Sequence, residues 1–206
     1  MRISYVKECV KEIAETANHW GISMGSGIEF FCGDGSIYSN LLSSRLCSMT
    51  GLDIDQEKGL KLKEKIPGFN FIAANSIEYA CKYEGMSYDI ISFDNPLCIY
   101  GKYCEHFEIL SYAYKFVHKK DKSLIVFDIV HTPYNITSSE NSEWLRRRMD
   151  YYGITSGNLD LEYAKLFYTK KLVQQGLKIF DIKCICREVQ DSNDYFYMVV
   201  CIVGKD

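Results

Sequence analysis

The 206-residue chain has only three prolines and no apolar run that approaches the about 20 residues needed to cross a bilayer. So few prolines exclude a proline-rich linker, and the short apolar runs argue against a transmembrane helix. The first residues, MRISYVKECVKEIAE, are charged throughout and lack the apolar segment of a signal peptide. We therefore expect one domain over 1–206, in the cytoplasm, with no membrane partner.

Paired cysteines and a strong net charge are also absent. The nine cysteines are scattered and form no C-x-x-C pair of the kind that holds zinc, so we predict no metal site. Thiols within apolar runs fit a reducing, cytoplasmic setting better than a disulfide framework. The formal net charge of -3 does not indicate a protein that coats nucleic acid, although a local basic patch is compatible with it.

The sequence does contain a regular alternation of short apolar runs and helical patterns. Apolar spacing predicts a helix over the first twenty residues, followed by a Gly/Ser-rich loop to about residue 26. Strands separated by helices favour parallel pairing with crossover connections. The five predicted strands of this kind are 28–32, 48–52, 69–73, 88–93 and 124–130.

The C-terminal part departs from this alternation. Two long strand-like runs, 177–189 and 195–203, are separated by too few residues for anything but an antiparallel hairpin. A helix is predicted from about 159 to 175, and the polar segment 132–158 precedes it. The predicted fold is an α/β three-layer sandwich, with helices on both faces of a mostly parallel sheet.

A glycine pair follows the first predicted strand in the segment GIEFFCGDGSIY. Gly33 and Gly35 lie just past the carboxyl end of that strand, where the ligand crevice of an open α/β sheet lies. Glycine permits positive φ there and lets a ligand approach the backbone, and the amides of a helix starting near Ser36 add a partial positive field. Asp53 stands twenty residues beyond Gly33, at the end of the second strand, as an acceptor for two ribose hydroxyls.

Other interpretations of these residues stay open. Dinucleotide-binding proteins share the spacing, but their third glycine is replaced here by Tyr38, which disfavours an NAD-dependent oxidoreductase. The glycines could form only a tight turn. Asp53 and Asp55 could cap and charge the helix predicted at 56–65; we favour that role for Asp55 but not for Asp53.

Four segments, in this order, resemble the motifs of class I S-adenosylmethionine-dependent methyltransferases. Residues 28–35 (IEFFCGDG) resemble the first motif, an acidic residue followed by glycines around a small residue. Residues 52–55 (LDID) resemble the second, 74–76 (ANS) the loop after the third strand, and 88–96 (YDIISFDNP) the fourth. The resemblance covers roughly residue 27 to the C-terminus. It implies a seven-stranded sheet of order 3-2-1-4-5-7-6 with the last strand antiparallel.

The resemblance also implies a cofactor, S-adenosyl-L-methionine, with S-adenosyl-L-homocysteine as the product. Glu29 would lie near the amino end of the methionine portion, and the backbone of Gly33 to Gly35 would pass under it. Asp53 would hold the ribose, and Ile54 and Asn75 would border the adenine. The implied cofactor-binding residues are Glu29, Phe31, Gly33, Asp34, Gly35, Asp53, Ile54, Asn75, Ser76 and Phe93.

Two departures from the family pattern affect this site. Phe31 stands where the first motif has its first glycine, as in some nucleic-acid methyltransferases. Asn75 stands where many members carry aspartate, so the adenine amino group would meet an amide oxygen instead of a carboxylate.

The residues after the fourth strand are expected to face the methyl acceptor. Asn95-Pro96-Leu97-Cys98 resembles the Asn-Pro-Pro-aromatic motif of amino-methyltransferases, with two of its four residues changed, and an ordinary turn is the alternative. Asp94 would orient the substrate or act as a base. His106 and His131 are further candidate bases, because both lie near the crevice side of the sheet. The candidate catalytic residues are Asp94, Asn95, His106 and His131.

Substrate contacts are predicted from the same rim and from the segment 132–158, which we interpret as an insertion that covers the pocket. Tyr100 and Tyr103 offer stacking faces, and the arginine run 146–148 could bind phosphate or an acidic substrate. A solvated helix face is the alternative for that run. The candidate substrate-binding residues are Pro96, Tyr100, Tyr103 and Arg147.

Taken as a sequence, the chain is thus expected to be a methyltransferase with a small-molecule acceptor. A nucleic-acid base N-methyltransferase is the alternative, favoured by FFCGDG and by Asn95-Pro96. A non-catalytic subunit with the same fold is a further alternative, because Phe31, Asn75 and Leu97 depart from the motifs. The acceptor atom and the oligomeric state are not predicted.

Overall fold

Seven strands form one sheet in the order β3-β2-β1-β4-β5-β7-β6. The structure is a computed structural model that describes residues 3–35, 37–93, 108–132, 139–190 and 193–204. Strands β1 to β5 pair in parallel, and β7 pairs antiparallel with both β5 and β6. The predicted sheet order and hairpin are confirmed. The strands are β1 Ser26–Phe30, β2 Ser48–Asp53, β3 Phe69–Ala73, β4 Ile90–Phe93, β5 Ser123–Thr132, β6 Leu177–Gln190 and β7 Asn193–Gly204.

Within the described ranges, six α-helices and one 3-10 helix cover the two faces of the sheet. The N-terminal helix predicted over the first twenty residues is confirmed as α1, and the helix predicted at 56–65 is confirmed as α3. Asp55 caps α3 as expected, because its side chain accepts a hydrogen bond from the Lys58 backbone N–H. The helices are α1 Ile3–His19, α2 Tyr38–Ser43, α3 Gln56–Lys65, α4 Ser76–Lys82, the 3-10 helix Leu110–Phe116, α5 Ser139–Tyr152 and α6 Leu161–Gln174.

Each face of the sheet has its own apolar core. The helices α1, α2 and α3 pack on one face, with Ile13, Leu42 and Leu62 among their buried residues. The helices α4, α5 and α6 and the 3-10 helix pack on the other, where Phe116 and Tyr168 are buried. Successive strand residues point to opposite faces, so strands buried on both sides have nearly continuous apolar sequences. This double burial confirms the three-layer sandwich.

The first strand lies two residues earlier than predicted. We expected 28–32, whereas β1 is Ser26–Phe30. Phe31 has φ of 62°, in the left-handed region, which breaks the extended backbone immediately after Phe30. Helix α2, by contrast, begins later than predicted, at Tyr38. We expected it to start near Ser36, which lies outside the described residues.

The run of three arginines does not form one solvated face, and that interpretation is wrong. Arg146 is exposed and pairs with Asp150, at 3.0 Å. Arg148 is fully buried and donates hydrogen bonds to the backbone oxygens of Val130 and Gly157. Consecutive residues of an α-helix point about 100° apart, so neighbouring arginines necessarily face different surroundings.

Two aromatic rings enclose the buried guanidinium group. The Arg148 Cζ atom lies 5.5 Å from the ring centre of Trp144 and 5.2 Å from that of Tyr152. These contacts and the bond to Val130 fasten α5 to the carboxyl end of β5.

Replacement of the buried arginine should destabilise the fold far more than replacement of its exposed neighbour. Arg148→Ala leaves a cavity and removes the donors of two backbone oxygens, so we expect the free energy of unfolding to fall by at least about 3 kcal/mol. Arg146→Ala is the matched control and should leave it nearly unchanged. Urea unfolding measures both, and equal losses would contradict the assigned packing.

No helix within the described ranges combines the length and the apolar character that a membrane span requires.

Candidate functional site

The turn after β1 contains a concentrated set of left-handed backbone conformations. Phe31, Gly33 and Gly35 have φ of 62°, 54° and 59°. A Cβ at Gly33 would meet nothing within 4 Å, so the space over this residue is open. At Gly35, by contrast, a Cβ would lie 2.0 Å from a methyl group of Leu62 on α3. The second glycine therefore lets the turn pack on α3, and the first presents bare main chain outward.

Asp53 holds this turn against the end of β2. Its Oδ2 accepts a 2.8 Å hydrogen bond from the Gly33 N–H, and its Oδ1 accepts one of 2.8 Å from the Asp55 N–H. Its backbone oxygen accepts from Ala74, which follows β3. A carboxylate has about four lone-pair sites, so these two amides leave part of its capacity for a ligand. The anchoring of the turn is a role for Asp53 that the sequence did not predict.

Glu29 is a buried carboxylate beneath the turn. It lies on β1, is only 1% exposed, and its Oε1 accepts a 2.9 Å hydrogen bond from the Ser39 hydroxyl group on α2. A second buried bond lies beside it, where the Ser92 hydroxyl group on β4 donates to the Tyr38 Oη at 2.9 Å. Glu29 and Ser92 thus place two polar side chains under α2, near the carboxyl ends of β1 and β4.

Cys32, within the turn, is buried and its thiol is unreactive. Burial, with the nearby carboxylates of Glu29 and Asp53, raises the pKa of its thiol well above the ordinary value. The thiol therefore stays protonated at neutral pH, and a protonated thiol is a poor nucleophile. Cys32 serves packing.

The expected adenine-side residues lie at the ends of β2 and β3. Ile54, directly after β2, has a side chain that is 75% exposed. Asn75 caps α4, because its Oδ1 accepts hydrogen bonds from the Ile77 and Glu78 N–H groups. This oxygen thus has a capping role that the sequence did not predict, and its contact with the adenine amino group stays a prediction.

The other expected cofactor residues differ in exposure. Asp34 is exposed in the turn, and Ser76 is buried in the first turn of α4. Phe93, at the end of β4, is 2% exposed and stacks on Phe30 with ring centres 5.0 Å apart. Its side chain belongs to the core on the α4 side, so only its backbone is left for contact with a ligand.

Of the expected acceptor-side residues, the structure describes two. His131 lies at the carboxyl end of β5, is partly buried, and its backbone oxygen accepts from the Leu159 N–H. Arg147 is partly buried on α5. The remaining ones, Asp94, Asn95, Pro96, Tyr100, Tyr103 and His106, lie outside the described residues.

The sequence patterns missed the residues that tie α2 to the sheet. The sequence signal for this connection is Ser92, which places a hydroxyl group within the apolar run IISF. Tyr38 and Ser39 gave none, because a helical pattern does not reveal which hydroxyl group meets which strand. Among the described residues, no group of three or more His, Cys, Asp and Glu could hold a metal ion.

A cavity of about 440 Å³ lies away from this crevice, between α1 and β6. Charged groups along its walls pair with their neighbours: Lys183 lies 2.7 Å from Glu12, and the Trp20 indole donates to Asp181 at 3.0 Å. Pairs of this kind are typical of a solvated surface groove. The bare turn, not this groove, is the candidate site.

No family model and no curated protein matches the sequence. Solved structures match it in fold. The N-methyltransferase NodS from Bradyrhizobium japonicum WM9 aligns with a TM-score of 0.61 and 10% identity over 98% of both chains. The magnesium protoporphyrin IX methyltransferase ChlM from Synechocystis PCC 6803, with bound SAH, aligns with a TM-score of 0.58 and 12% identity over 98% of this chain and 84% of that one.

A third match contains both a cofactor product and an acceptor analogue. The plantazolicin methyltransferase BamL, in complex with a triazolic desmethylPZN analogue and SAH, aligns with a TM-score of 0.61 and 14% identity over 97% of this chain and 85% of that one. The chain therefore has the Rossmann-like fold of the class I S-adenosylmethionine-dependent methyltransferases, as the resemblance of its motifs implied.

The two glycines of the turn should respond differently to a methyl group. Gly33→Ala should lower the free energy of unfolding only through backbone strain, by about 1–2 kcal/mol, because the space beside Gly33 is open. Gly35→Ala adds a clash with Leu62, which is buried and cannot move aside, so we expect a loss of about 2–5 kcal/mol. Thermal and urea unfolding compare the pair; a larger loss for Gly33→Ala would contradict the packing of the turn.

Proposed function

We propose that the chain is an S-adenosylmethionine-dependent methyltransferase. One observation carries the proposal: bare main chain at Gly33 is held by a hydrogen bond to Asp53 at the carboxyl edge of a sheet of this order. Ligands of open α/β sheets bind at that edge, beside the strand at which the order reverses, which here is β1.

The residues around the turn fit the parts of this cofactor. Asp53 retains acceptor capacity for the two hydroxyl groups of a ribose. The exposed side chain of Ile54 offers an apolar face to a flat base, which would cover an otherwise solvated aliphatic group. The Glu29 side chain, two residues before the turn, offers oxygen acceptors suited to the ammonium group of a methionine portion.

When bound, the cofactor supplies a methyl group already activated by a sulfonium. The protein then has to align a nucleophile with that methyl group and exclude water. The protonated Cys32 thiol does not compete as an acceptor, because burial suppresses its thiolate.

We further propose a small-molecule acceptor. The residues proposed to meet it are Asp94 and Asn95, which follow β4 directly in the chain, together with His106 and His131. Pro96, Tyr100, Tyr103 and Arg147 are proposed as substrate contacts. The support is twofold. ChlM is a magnesium protoporphyrin IX methyltransferase, and BamL was solved with a desmethylPZN analogue; the net charge of this chain is negative.

Ligand-dependent stability tests the cofactor directly. A ligand that binds only the folded state at about 100 times its Kd stabilises by about 2.7 kcal/mol, which raises Tm by roughly 5–10 °C for a chain of this size. We expect this shift with S-adenosylmethionine and S-adenosylhomocysteine and none with NAD or NADP. A shift with the dinucleotides alone would replace the proposal with an oxidoreductase.

Substitutions of Asp53 test the proposed ribose contact, and a substitution of Asp55 is the matched control. Asp53→Ala should weaken S-adenosylhomocysteine binding by about 10- to 100-fold, the effect of losing a hydrogen bond to a charged group. Asp53→Asn separates the loss of charge from the loss of the turn's anchor. Asp55→Ala removes the cap of α3 and an exposed ion pair with Lys58, so it should lower stability and leave the Kd unchanged. Calorimetry measures the three affinities, and an unchanged Kd in both Asp53 variants would refute the ribose assignment.

A further inference from the structure

Two buried hydrogen bonds join α2 to the central strands at one level of the sheet. Ser92 on β4 donates to the Tyr38 hydroxyl group, and Ser39 donates to the Glu29 carboxylate on β1. Glu29 and Ser92 are register partners in the β1–β4 pair. All four side chains are 5% exposed or less. Adjacent residues of α2 therefore bond to adjacent strands.

Helix α2 depends on such contacts for its position. It has six residues, and Ile37 at its N-cap supplies no side-chain hydrogen bond. A helix this short is not stable in isolation, because the cost of nucleating it exceeds what one and a half turns return. Apolar contacts add to these bonds: the Tyr38 ring stacks on Tyr197 with ring centres 5.4 Å apart, and Leu42 is buried.

The same helix holds one end of the glycine turn. Tyr38 follows Gly35 by three residues, whereas the other end of the turn is held where the Gly33 N–H meets Asp53. A shift of α2 along the sheet would therefore move the main chain of the turn. It would also release the Glu29 carboxylate from Ser39.

We infer that Tyr38 and Ser39 are positioning residues, which fix the glycine turn and the Glu29 carboxylate in the geometry that binds the cofactor. The inference rests on the proposed function for the identity of the ligand. Apolar contacts alone would keep α2 on the sheet, but they are non-directional and tolerate sliding. Hydrogen bonds between buried groups are directional, and each unmatched partner is costly, so they select one position.

The test compares hydroxyl groups on opposite faces of the sheet. Tyr38→Phe keeps the stacked ring and removes only the Oη, and Ser39→Ala removes the donor to Glu29. The control is Tyr168→Phe, because Tyr168 is equally buried and its hydroxyl group bonds to that of Tyr152 in the core on the other face. Urea unfolding and calorimetry with S-adenosylhomocysteine are measured for all three.

We expect the three variants to lose comparable stability but to differ in affinity. The Kd should rise about 5- to 20-fold in Tyr38→Phe and Ser39→Ala and stay within about twofold in Tyr168→Phe. Ser39→Thr, which retains the hydroxyl group, should recover most of the affinity. An affinity loss that merely follows stability in all three variants would overturn the inference.

Hydrogen exchange of the Gly33 and Gly35 amides provides a readout without ligand. Exchange should be faster in Tyr38→Phe and Ser39→Ala than in Tyr168→Phe. If the wild-type protein binds no S-adenosylhomocysteine, the proposed function fails and exchange alone decides the positioning role. Equal exchange rates in the three variants would then refute it.

Discussion

The hydrogen bond from the Gly33 N–H to the Asp53 carboxylate is the constraint on which the candidate site depends. It joins the first turn of the sheet to the end of the neighbouring strand, and the backbone oxygen of Asp53 extends the connection to the loop after β3. Three successive loops at one edge are thus fixed relative to one another. A ligand that spans several loops binds well only if their relative positions are set beforehand, since ordering them on binding costs affinity.

Three polar side chains are buried on the central strands. Glu29 and Ser92 lie side by side under α2, and Asp128 is buried on β5, the neighbour of β4. Buried polar groups cost free energy unless they are paired, so an apolar core would be the simpler solution for stability alone. The position of Glu29 and Ser92 near the carboxyl ends of β1 and β4 associates this pair with the site.

The closing hairpin and the bounds of β3 and α3 follow from patterns that local chemistry determines: alternation of apolar runs, and Asp55 as an N-cap. The strand order was implied by the resemblance of the motifs, not by these patterns. The features that the sequence did not predict depend on the three-dimensional arrangement of side chains. The interpretation of the arginine run failed because the 100° step of a helix separates Arg146 from the buried Arg148. The capping role of the Asn75 oxygen, which accepts from the nearest backbone amides, was not predicted either. The pairing of Ser39 with Glu29 depends on how a short helix is seated, which no local pattern encodes.

Phe31 has a backbone conformation typical of glycine, although it is not glycine. Its φ of 62° is a geometry that glycine adopts freely, and its ring packs against the core on the α4 side. The strain of a bulky residue there, about 1–2 kcal/mol, is similar in size to what partial burial of a large apolar side chain returns. Glycine and phenylalanine can therefore occupy this position with a comparable net free energy. A motif that requires glycine here describes one solution to a constraint on the main chain, and this chain satisfies the same constraint with an aromatic residue.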